Sequence, residues 1–307
     1  MICTCTLNPS LDYYMEFEKN VESGHPNRSN LEYYEAGGKG INISSVLSNL
    51  QIPSRAYGFL GGFTREFYIM LLQKYEFIQP NFTIIDGHTR INVKMHDKQE
   101  TELNAAGPYI TNTDMKNLSD KVGRLTDGDY FALAGMCPNY LEDEVVTMLK
   151  KAIGEGVKVI LDTNADIVRY LVNSKPFLVR MSSAELSEYA KKNLASDEDI
   201  IEAAKKLHEE GAEHVIILLD NRSKAILVCD EGVYEGEILH DNKAVNTVGT
   251  GDSLTAGFIM NYARSNDPID SFKFAVCCGS ATAYSKGMAK KEKIEAFYQD
   301  AEVKKLA

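Results

Sequence analysis

The sequence lacks an uninterrupted apolar run of about 18 residues, the length that a membrane-spanning helix needs, although hydrophobic residues make up 44% of its 307 positions. Its first residues, MICTCTLNP, also lack the basic start and the long apolar stretch of a secretory signal. These residues instead predict a buried strand. We therefore expect a cytoplasmic protein that has no membrane partner.

Net positive charge is also missing, because 33 Lys and Arg residues stand against 44 Asp and Glu residues and leave a formal charge of −11. An acidic surface repels nucleic acid and anionic membranes, so neither is an expected partner. A small anionic substrate is compatible with this charge only if positive side chains gather at its binding site.

Cysteine and histidine do not occur at the spacings of structural metal sites. None of the six cysteines forms a CxxC pair, and the six histidines contain no HExxH pattern. We expect the cysteines to be free thiols that pack in the core as small apolar residues.

Short β-branched runs alternate with amphipathic segments along the chain. Val157–Asp162 and Val215–Leu219 are typical of strands buried on both faces, and Asp197–Glu210 is typical of an amphipathic helix. This order predicts an α/β fold over residues 1–307, in which helices cover both faces of a mainly parallel sheet. Such sheets bind ligands beyond the carboxyl ends of their strands.

Four other segments alternate between apolar and polar residues, which indicates half-exposed strands. They are Tyr13–Lys19, Asn30–Ala36, Arg90–His96 and Glu100–Asn104. They predict a small antiparallel sheet, within about residues 12–36 and 88–106, that covers the mouth of the main sheet as a lid or pairs with another copy of the chain.

The most informative motif is Asn246-Thr-Val-Gly-Thr-Gly-Asp-Ser253, which precedes an apolar helical stretch. Gly249 and Gly251 let the backbone approach a ligand closely, and the free N–H groups of a helix start favour an anion. Asp252 would then take a proton from an attacking hydroxyl. The alternative is a plain helix start capped by Asp252 or Ser253.

A second glycine-rich motif, Ala36-Gly-Gly-Lys-Gly-Ile-Asn42, leads into a helix that extends through Leu50. It resembles an anion cradle with one positive side chain, Lys39, and it does not match the GxxxxGK[ST] pattern of a Walker A loop. The alternative is a glycine-rich turn with an exposed lysine.

The third motif is Leu7-Asn-Pro-Ser-Leu-Asp12, where we expect the first strand to end at Pro9. Asp12 would then lie beyond the carboxyl end of that strand, where a carboxylate can accept hydrogen bonds from sugar hydroxyls. The alternative is an ordinary turn, because Asn-Pro and Asp are common in turns.

Arg28 and Arg90 are the best local positive charges for a substrate phosphate, because a guanidinium binds phosphate bidentately. Surface solvation is the alternative for each arginine.

Taken together, these motifs resemble the ribokinase-like (PfkB) family of carbohydrate kinases along the whole chain. The strings that carry the resemblance are TLNPSLDY, NRSN, GGKGINIS, GFLGGFT, TRINVK, TELNAAGP, VNTVGTGDSLTAGF and GSATAYSKG. Within the family the sequence is most similar to bacterial 1-phosphofructokinases, followed by tagatose-6-phosphate kinases. The resemblance implies a three-layer α/β/α fold with a β lid that often pairs two subunits. It also implies phosphoryl transfer from ATP with Mg²⁺ to a ketohexose phosphate, first of all fructose 1-phosphate.

The resemblance also assigns roles to individual residues. Asp252 would be the catalytic base, and the anion hole would be Gly249, Thr250 and Gly251. The residues expected to bind the sugar phosphate are Asp12, Gly38, Lys39 and Asn42, with Arg28 and Arg90 near its phosphate. The nucleotide would contact Asn246, Gly249, Gly251 and Gly279. Glu185 would orient a magnesium-bound water.

The sequence departs from the family pattern on both sides of this expected site. A family Lys-Pro-Asn string is Arg180-Met-Ser182 here, and serine is shorter than asparagine. A family Ser-Gly-Ser-Leu-Pro string is Ala134-Gly-Met-Cys-Pro138, where Met136 cannot donate a hydrogen bond to substrate. The glycines of a nucleotide-side turn are replaced within Leu218–Ser223, and Asp220 adds a negative charge there.

Two rival hypotheses follow from these observations. A kinase for an unphosphorylated sugar or nucleoside would share the glycine motifs, but Lys39, Arg28 and Arg90 argue against it. A sugar-phosphate-binding protein with weakened catalysis would explain the altered metal and nucleotide motifs.

Overall fold

A computed structural model describes residues 1–219, 223–238, 244–245 and 248–307, with Asp300 described by its backbone only. The strands are β1 Ile2–Thr6, β2 Ser10–Glu16, β3 Leu31–Gly37, β4 Ser54–Gly61, β5 Ile78–Pro80, β6 Thr83–Ile85, β7 Arg90–His96, β8 Glu100–Leu103, β9 Tyr130–Ala134, β10 Lys158–Asp162, β11 Leu178–Ser182, β12 Val215–Leu218, β13 Lys224–Cys229, β14 Gly232–Glu237 and β15 Val303–Lys305. The α-helices are α1 Lys39–Asn49, α2 Gly62–Leu72, α3 Asn112–Val122, α4 Glu142–Gly154, α5 Ala165–Leu171, α6 Ser183–Ala190, α7 Asp197–Glu209, α8 Thr250–Ser265, α9 Pro268–Ala283 and α10 Lys291–Asp300. Short 3₁₀ helices span Asn139–Leu141 and Val172–Ser174.

The main sheet contains eleven strands within the described residues, in the order β15-β14-β13-β12-β11-β10-β9-β1-β4-β5, with β6 also paired to β4. The pairs from β5 to β12 are parallel, whereas β12, β13, β14 and β15 pair antiparallel. The predicted α/β fold with a mainly parallel sheet is therefore confirmed.

Alternating side chains of the central strands enter two separate cores. In β9, Phe131 and Leu133 pack in a core with helices α3 to α7, whereas Ala132 and Ala134 pack in a core with α1, α8, α9 and α10. Because successive residues of a strand point to opposite faces, a strand buried on both sides needs helices on each side. The result is three layers.

The second sheet has four strands in the order β3-β2-β7-β8 and is called the lid below. Its strands differ from the predicted segments by zero to three residues at each end. The lid is mixed, not purely antiparallel as predicted, because β2 pairs parallel to β7. The chain between β3 and β7 passes through the main sheet, so β2 and β7 both leave that sheet in the same direction. The expected end of the first strand at Pro9 was also wrong, because β1 ends at Thr6.

All six cysteines are buried free thiols, as predicted. Among the residues that the structure describes, no helix is both long enough and apolar enough to cross a membrane.

Helices α8 and α9 pack tightly at Gly257, and this contact yields a prediction. A Cβ atom at Gly257 would lie 2.8 Å from the Cα of Ala275 and 2.8 Å from the Sγ of Cys278. We expect Gly257→Ala to lower the free energy of unfolding by about 1–3 kcal/mol through overpacking, although alanine is the better helix former. Denaturant unfolding measures the change.

Gly154 in α4 is the matched control, because a Cβ there would meet nothing within 4 Å. Gly154→Ala should leave the free energy of unfolding unchanged or raise it by up to about 1 kcal/mol. Equal effects of the two substitutions would contradict the close packing of α8 on α9.

Candidate active site

A buried ion-pair cluster joins the carboxyl ends of β10 and β11 to the start of α1. Asp162, the last residue of β10, accepts hydrogen bonds from Arg180 Nε at 2.8 Å and Arg180 Nη2 at 2.6 Å. Lys39, the first residue of α1, lies with its Nζ 3.2 Å from Asp162 Oδ1. Burial alone would raise the pKa of Asp162, but the charges of Arg180 and Lys39 outweigh it and lower that pKa.

Asp252 lies beside this cluster, in the first turn of α8. Its side chain is buried and accepts a hydrogen bond from Asn42 Nδ2 at 2.8 Å, while Arg180 Nη2 lies 3.9 Å away. Burial, followed by the negative charge of Asp162, raises the pKa of Asp252 to about 6. The alternative of a helix cap is wrong, because the N-cap residue is Gly249 and no side chain caps this helix.

Glycines at the start of α8 are required by the backbone and by their neighbours. Gly249 has φ 80°, in the left-handed region, and a Cβ there would overlap Met288. At Gly251 a Cβ would lie 2.8 Å from the guanidinium carbon of Arg180. The first hydrogen bond within the helix runs from the Ser253 N–H to the Gly249 carbonyl, so the amides of Gly251 and Asp252 precede it. This geometry is typical of an anion site at a helix start.

The second glycine motif packs against the end of β1. Gly38 has φ 129°, and a Cβ there would lie 2.8 Å from Thr6 Cγ2. The Gly40 N–H donates to Thr6 Oγ1 at 3.0 Å. These contacts leave no room for side chains on either side of Lys39, and they place Lys39 and Asn42 at the same sheet edge as Asp252.

Asp12 lies in lid strand β2, beyond the carboxyl end of β1, so the alternative of an ordinary turn is wrong. Ser10 Oγ donates to its carboxylate at 2.7 Å, and Asn92 Nδ2 donates at 3.1 Å. A Cβ at Gly37 would overlap this carboxylate, so Asp12 directly adjoins the second glycine motif. Burial raises the pKa of Asp12.

Glu185 and Ser182 form a capping box at the start of α6. The Ser182 hydroxyl accepts the Glu185 N–H at 3.1 Å, and Glu185 Oε2 accepts the Ser182 N–H at 2.7 Å. Glu185 Oε1 lies 3.5 Å from Lys39 Nζ, and the side chain is 31% exposed. The Ser182 hydroxyl is thus engaged in capping α6.

A magnesium ion fits this donor set. The described residues contain no cluster of three or more His, Cys, Asp or Glu side chains that could hold a metal. Mg²⁺ in kinases is held by one or two carboxylates together with substrate phosphates, so no all-protein cage is needed. The partly exposed carboxylate of Glu185 is the group that meets this requirement.

The remaining predicted residues lie elsewhere or have other contacts. Arg90 Nε and Nη1 donate to the carbonyls of Asn8 and Ala105, each at 3.2 Å, at the base of the lid. Arg28 is exposed in the segment between β2 and β3. Gly279 is buried in α9, where a Cβ would lie 3.2 Å from Ile238 and 3.3 Å from Leu254, so the structure gives it a packing role.

Some expectations concern residues outside the described ranges. Asn246 is one of them, and so is Asp220, whose effect on the nucleotide-side turn was anticipated. Met136 is described, and its side chain is 78% exposed next to Gly135, which approaches Lys39.

Three residues of the site were missed by the sequence reasoning. Asp162 ends a strand that was predicted, and a carboxylate at that position was the available signal. Arg180 was noted only as a departure from the family pattern. Thr255, one turn after Gly251, donates to Asp162 Oδ2 at 3.2 Å.

Comparison with known proteins identifies the family of this chain. The chain matches the model of the pfkB family of carbohydrate kinases over residues 6–294. It is 36% identical to the 1-phosphofructokinase of Bacillus subtilis over 307 residues, which cover 100% of both chains. It is 30% identical to the D-tagatose-1-phosphate kinase of Bacillus licheniformis over 298 residues, with 96% of each chain covered.

A solved structure has the same fold. Phosphofructokinase-2 from Escherichia coli, in complex with substrates and products, superposes with a TM-score of 0.91 at 22% identity and covers 97% of this chain and 98% of its own. The ribokinase-like fold expected from the sequence is confirmed. The chain therefore belongs to the pfkB family of carbohydrate kinases, and it is a sugar kinase that uses ATP as a substrate.

Proposed function

We propose that the protein transfers the γ-phosphoryl group of ATP to the 6-hydroxyl of fructose 1-phosphate, giving fructose 1,6-bisphosphate and ADP. The full-length similarity to a 1-phosphofructokinase supports the choice of substrate. The single observation that carries the chemistry is Asp252, a buried carboxylate of raised pKa held by Asn42 at a glycine-lined helix start.

Asp252 acts as the general base. The attacking hydroxyl oxygen forms a bond to the γ-phosphorus while the bond from that phosphorus to the β–γ bridging oxygen breaks, and Asp252 accepts the hydroxyl proton. A pKa near 6 makes this carboxylate a stronger base than an ordinary aspartate while leaving it ionised at neutral pH. The hydrogen bond from Asn42 Nδ2 fixes its orientation.

The transferring phosphoryl group is stabilised by backbone amides and by the positive end of the helix dipole at the start of α8. The amides of Gly251 and Asp252, together with the dipole of α8, face developing negative charge on the phosphoryl oxygens. Mg²⁺, when bound with ATP, neutralises phosphate charge, and Glu185 is the residue that would hold it through water.

The sugar phosphate is bound between the second glycine motif and the lid. Asp12, Gly38, Lys39 and Asn42 are assigned to this task, with Arg90 at the base of the lid near the phosphate. The charge of Asp162 raises the pKa of Lys39, so Lys39 stays protonated at any physiological pH. Lys39 is already paired with Asp162 and Glu185, so the further positive charge that an anionic substrate needs in an acidic protein is assigned to Arg90.

Tagatose 1-phosphate is the second candidate substrate, because one full-length relative is named as a D-tagatose-1-phosphate kinase. Tagatose 6-phosphate, which the sequence resemblance suggested, stays a further alternative. The two ketohexoses differ at a single hydroxyl-bearing carbon, so the same residues can hold either phosphate.

The lid supports a further element of the proposal, a homodimer formed through it. Five large apolar or aromatic side chains of this small sheet are 38–54% exposed: Leu31, Tyr33, Tyr34, Ile91 and Leu103. An exposed patch of this kind favours association with a second copy.

We place the reaction in the cytoplasm, where ATP is available.

A substrate panel tests the assignment directly. With Mg²⁺ and ATP, coupled ADP release should give the highest kcat/KM for fructose 1-phosphate among fructose 1-phosphate, tagatose 1-phosphate, fructose 6-phosphate and fructose. Highest activity on tagatose 1-phosphate would select the second candidate. Equal and negligible turnover on all four would rule out the proposed reaction.

Replacing Asp252 tests its role as the general base. Asp252→Asn should lower kcat by roughly a hundredfold or more, because the base is lost. The wild-type kcat/KM should fall as the pH drops below about 6, since the base of the free enzyme must be ionised. Asp143, an exposed residue of α4, provides the control: Asp143→Asn should change neither the rate nor its pH dependence. Unchanged kcat in Asp252→Asn would exclude its role as the base.

Asp252→Asn should also change the way in which folding stability depends on pH. Because the pKa of Asp252 rises from 3.8 to about 6 on folding, the stabilising effect of its proton is complete below about pH 4 and is lost as the pH rises through 6. Ionised Asp252 therefore costs about 3 kcal/mol above pH 7. Relative to wild type, Asp252→Asn should gain stability between pH 4 and pH 7 in denaturant unfolding; a pH-independent difference would contradict the raised pKa.

Arg90 tests recognition of the substrate phosphate. Arg90→Ala should raise KM for fructose 1-phosphate by roughly 10- to 100-fold, because a charge-assisted hydrogen bond is lost, while KM for ATP stays unchanged. Lys98→Ala, which removes an equal charge from the exposed turn after the same strand, is the control. An unchanged KM for the sugar phosphate in Arg90→Ala would favour a kinase of unphosphorylated sugars.

A further inference from the structure

A second cavity lies away from the candidate active site, between helix α3 and strands β1, β4 and β6. Its volume is about 500 Å³. It is called the basic cleft here, and its polar lining includes Arg55, Asn81, Thr83, Asn117, Lys121 and Arg124. A cavity of this size is within the range of small-molecule sites.

The basic cleft opens at the amino ends of the parallel strands. Arg55 is the second residue of β4 and pairs with Cys3 near the start of β1. Asp129, which also lines the cleft, immediately precedes β9. The candidate active site lies at the carboxyl ends, so the two sites occupy opposite edges of the main sheet.

The lining of the basic cleft has more positive side chains than free carboxylates to pair with them. Asp129 is already bound by the amino group of Met1 at 2.7 Å and by the Thr126 N–H at 3.0 Å. Arg55 and Arg124 take part in none of the ion pairs found within the described residues.

Lys121 adds a third positive charge. Its Nζ donates to the carbonyls of Asn81 at 3.0 Å and Phe82 at 2.9 Å, which holds it at the cleft wall. Burial and the neighbouring charge of Arg124 lower the pKa of Lys121. Asp120 is the remaining acidic side chain of the lining. Three cations therefore face this one unengaged carboxylate in a chain of net charge −11.

Thr83 is the second, independent observation. Its side chain is 5% exposed and lines the cleft. Among the described residues, its Oγ1 is the one buried side-chain oxygen or nitrogen that has no hydrogen-bond partner. Buried hydroxyls without a partner are costly and rare.

We propose that the basic cleft is a binding site for a small phosphate-bearing molecule, separate from the site of phosphoryl transfer. Arg55 and Arg124 grip the phosphate through charge-assisted hydrogen bonds, and the Thr83 hydroxyl gains its missing partner. The volume leaves room for a small organic group beyond the phosphate. Since the cleft is remote from the carboxyl edge, its ligand does not compete with the substrates.

Calorimetric titration of the full chain tests the proposal. Inorganic phosphate and glycerol 3-phosphate are titrated separately, at constant ionic strength and with a saturating non-hydrolysable ATP analogue. The double variant Arg55→Gln/Arg124→Gln should weaken binding roughly tenfold or more. The matched control Lys116→Gln/Lys151→Gln removes two exposed lysines from the neighbouring α3–α4 groove and should not weaken it. The tighter of the two probes identifies the source of the phosphate.

Thr83→Val tests the proposed phosphate site without any change in charge. It should leave the melting temperature without phosphate unchanged or higher, because an unpartnered hydroxyl is removed, and it should weaken phosphate binding roughly three- to tenfold. If the double variant fails to fold, Thr83→Val alone decides. Wild-type affinity in Thr83→Val and in a folded double variant, or equal weakening in the lysine control, would overturn the proposal. None of these results depends on which sugar the enzyme phosphorylates.

Discussion

The candidate active site depends on one buried carboxylate, Asp162, which binds two cations from distant parts of the chain. Burying a charge is costly unless it is paired and fully hydrogen-bonded, and Arg180 meets that condition with two hydrogen bonds below 3 Å. Lys39 adds the third contact from the start of α1. This ion-pair cluster holds β10, β11 and α1 together at the sheet edge that carries the candidate active site.

The properties of Asp252 follow from that cluster. Arg180 forms two hydrogen bonds with Asp162 but lies 3.9 Å from Asp252. The negative charge of Asp252 is therefore less well compensated than that of Asp162. Burial and the repulsion from Asp162 then raise its pKa, whereas the pKa of Asp162 is lowered. Two carboxylates in one buried site thus differ in pKa because their environments differ, and the one of higher pKa is the proposed base.

Close backbone packing brings the lid to this site. Gly37 and Gly38 leave no room for a Cβ next to Asp12 and Thr6, so lid strands β2 and β3 meet α1 without intervening side chains. The glycines of the second motif thus serve two purposes: they expose Lys39 and Asn42, and they fix Asp12 beside them. The basic cleft adds a second group of positive side chains at the opposite edge of the sheet.

The amino-acid sequence by itself determined the α/β alternation, the existence of the lid strands and the positions of Asp252 and Lys39. These features rest on local periodicity and on glycines whose backbone demands are visible within a few residues. The tertiary structure decided the parallel pairing of β2 with β7, the interior position of Gly279 and the partner of Arg180. Arg180 and Asp162 are 18 residues apart on different strands, and only the parallel sheet brings them together. A contact between separate strands leaves no periodic trace in the chain, so the sequence showed Arg180 merely as an altered residue.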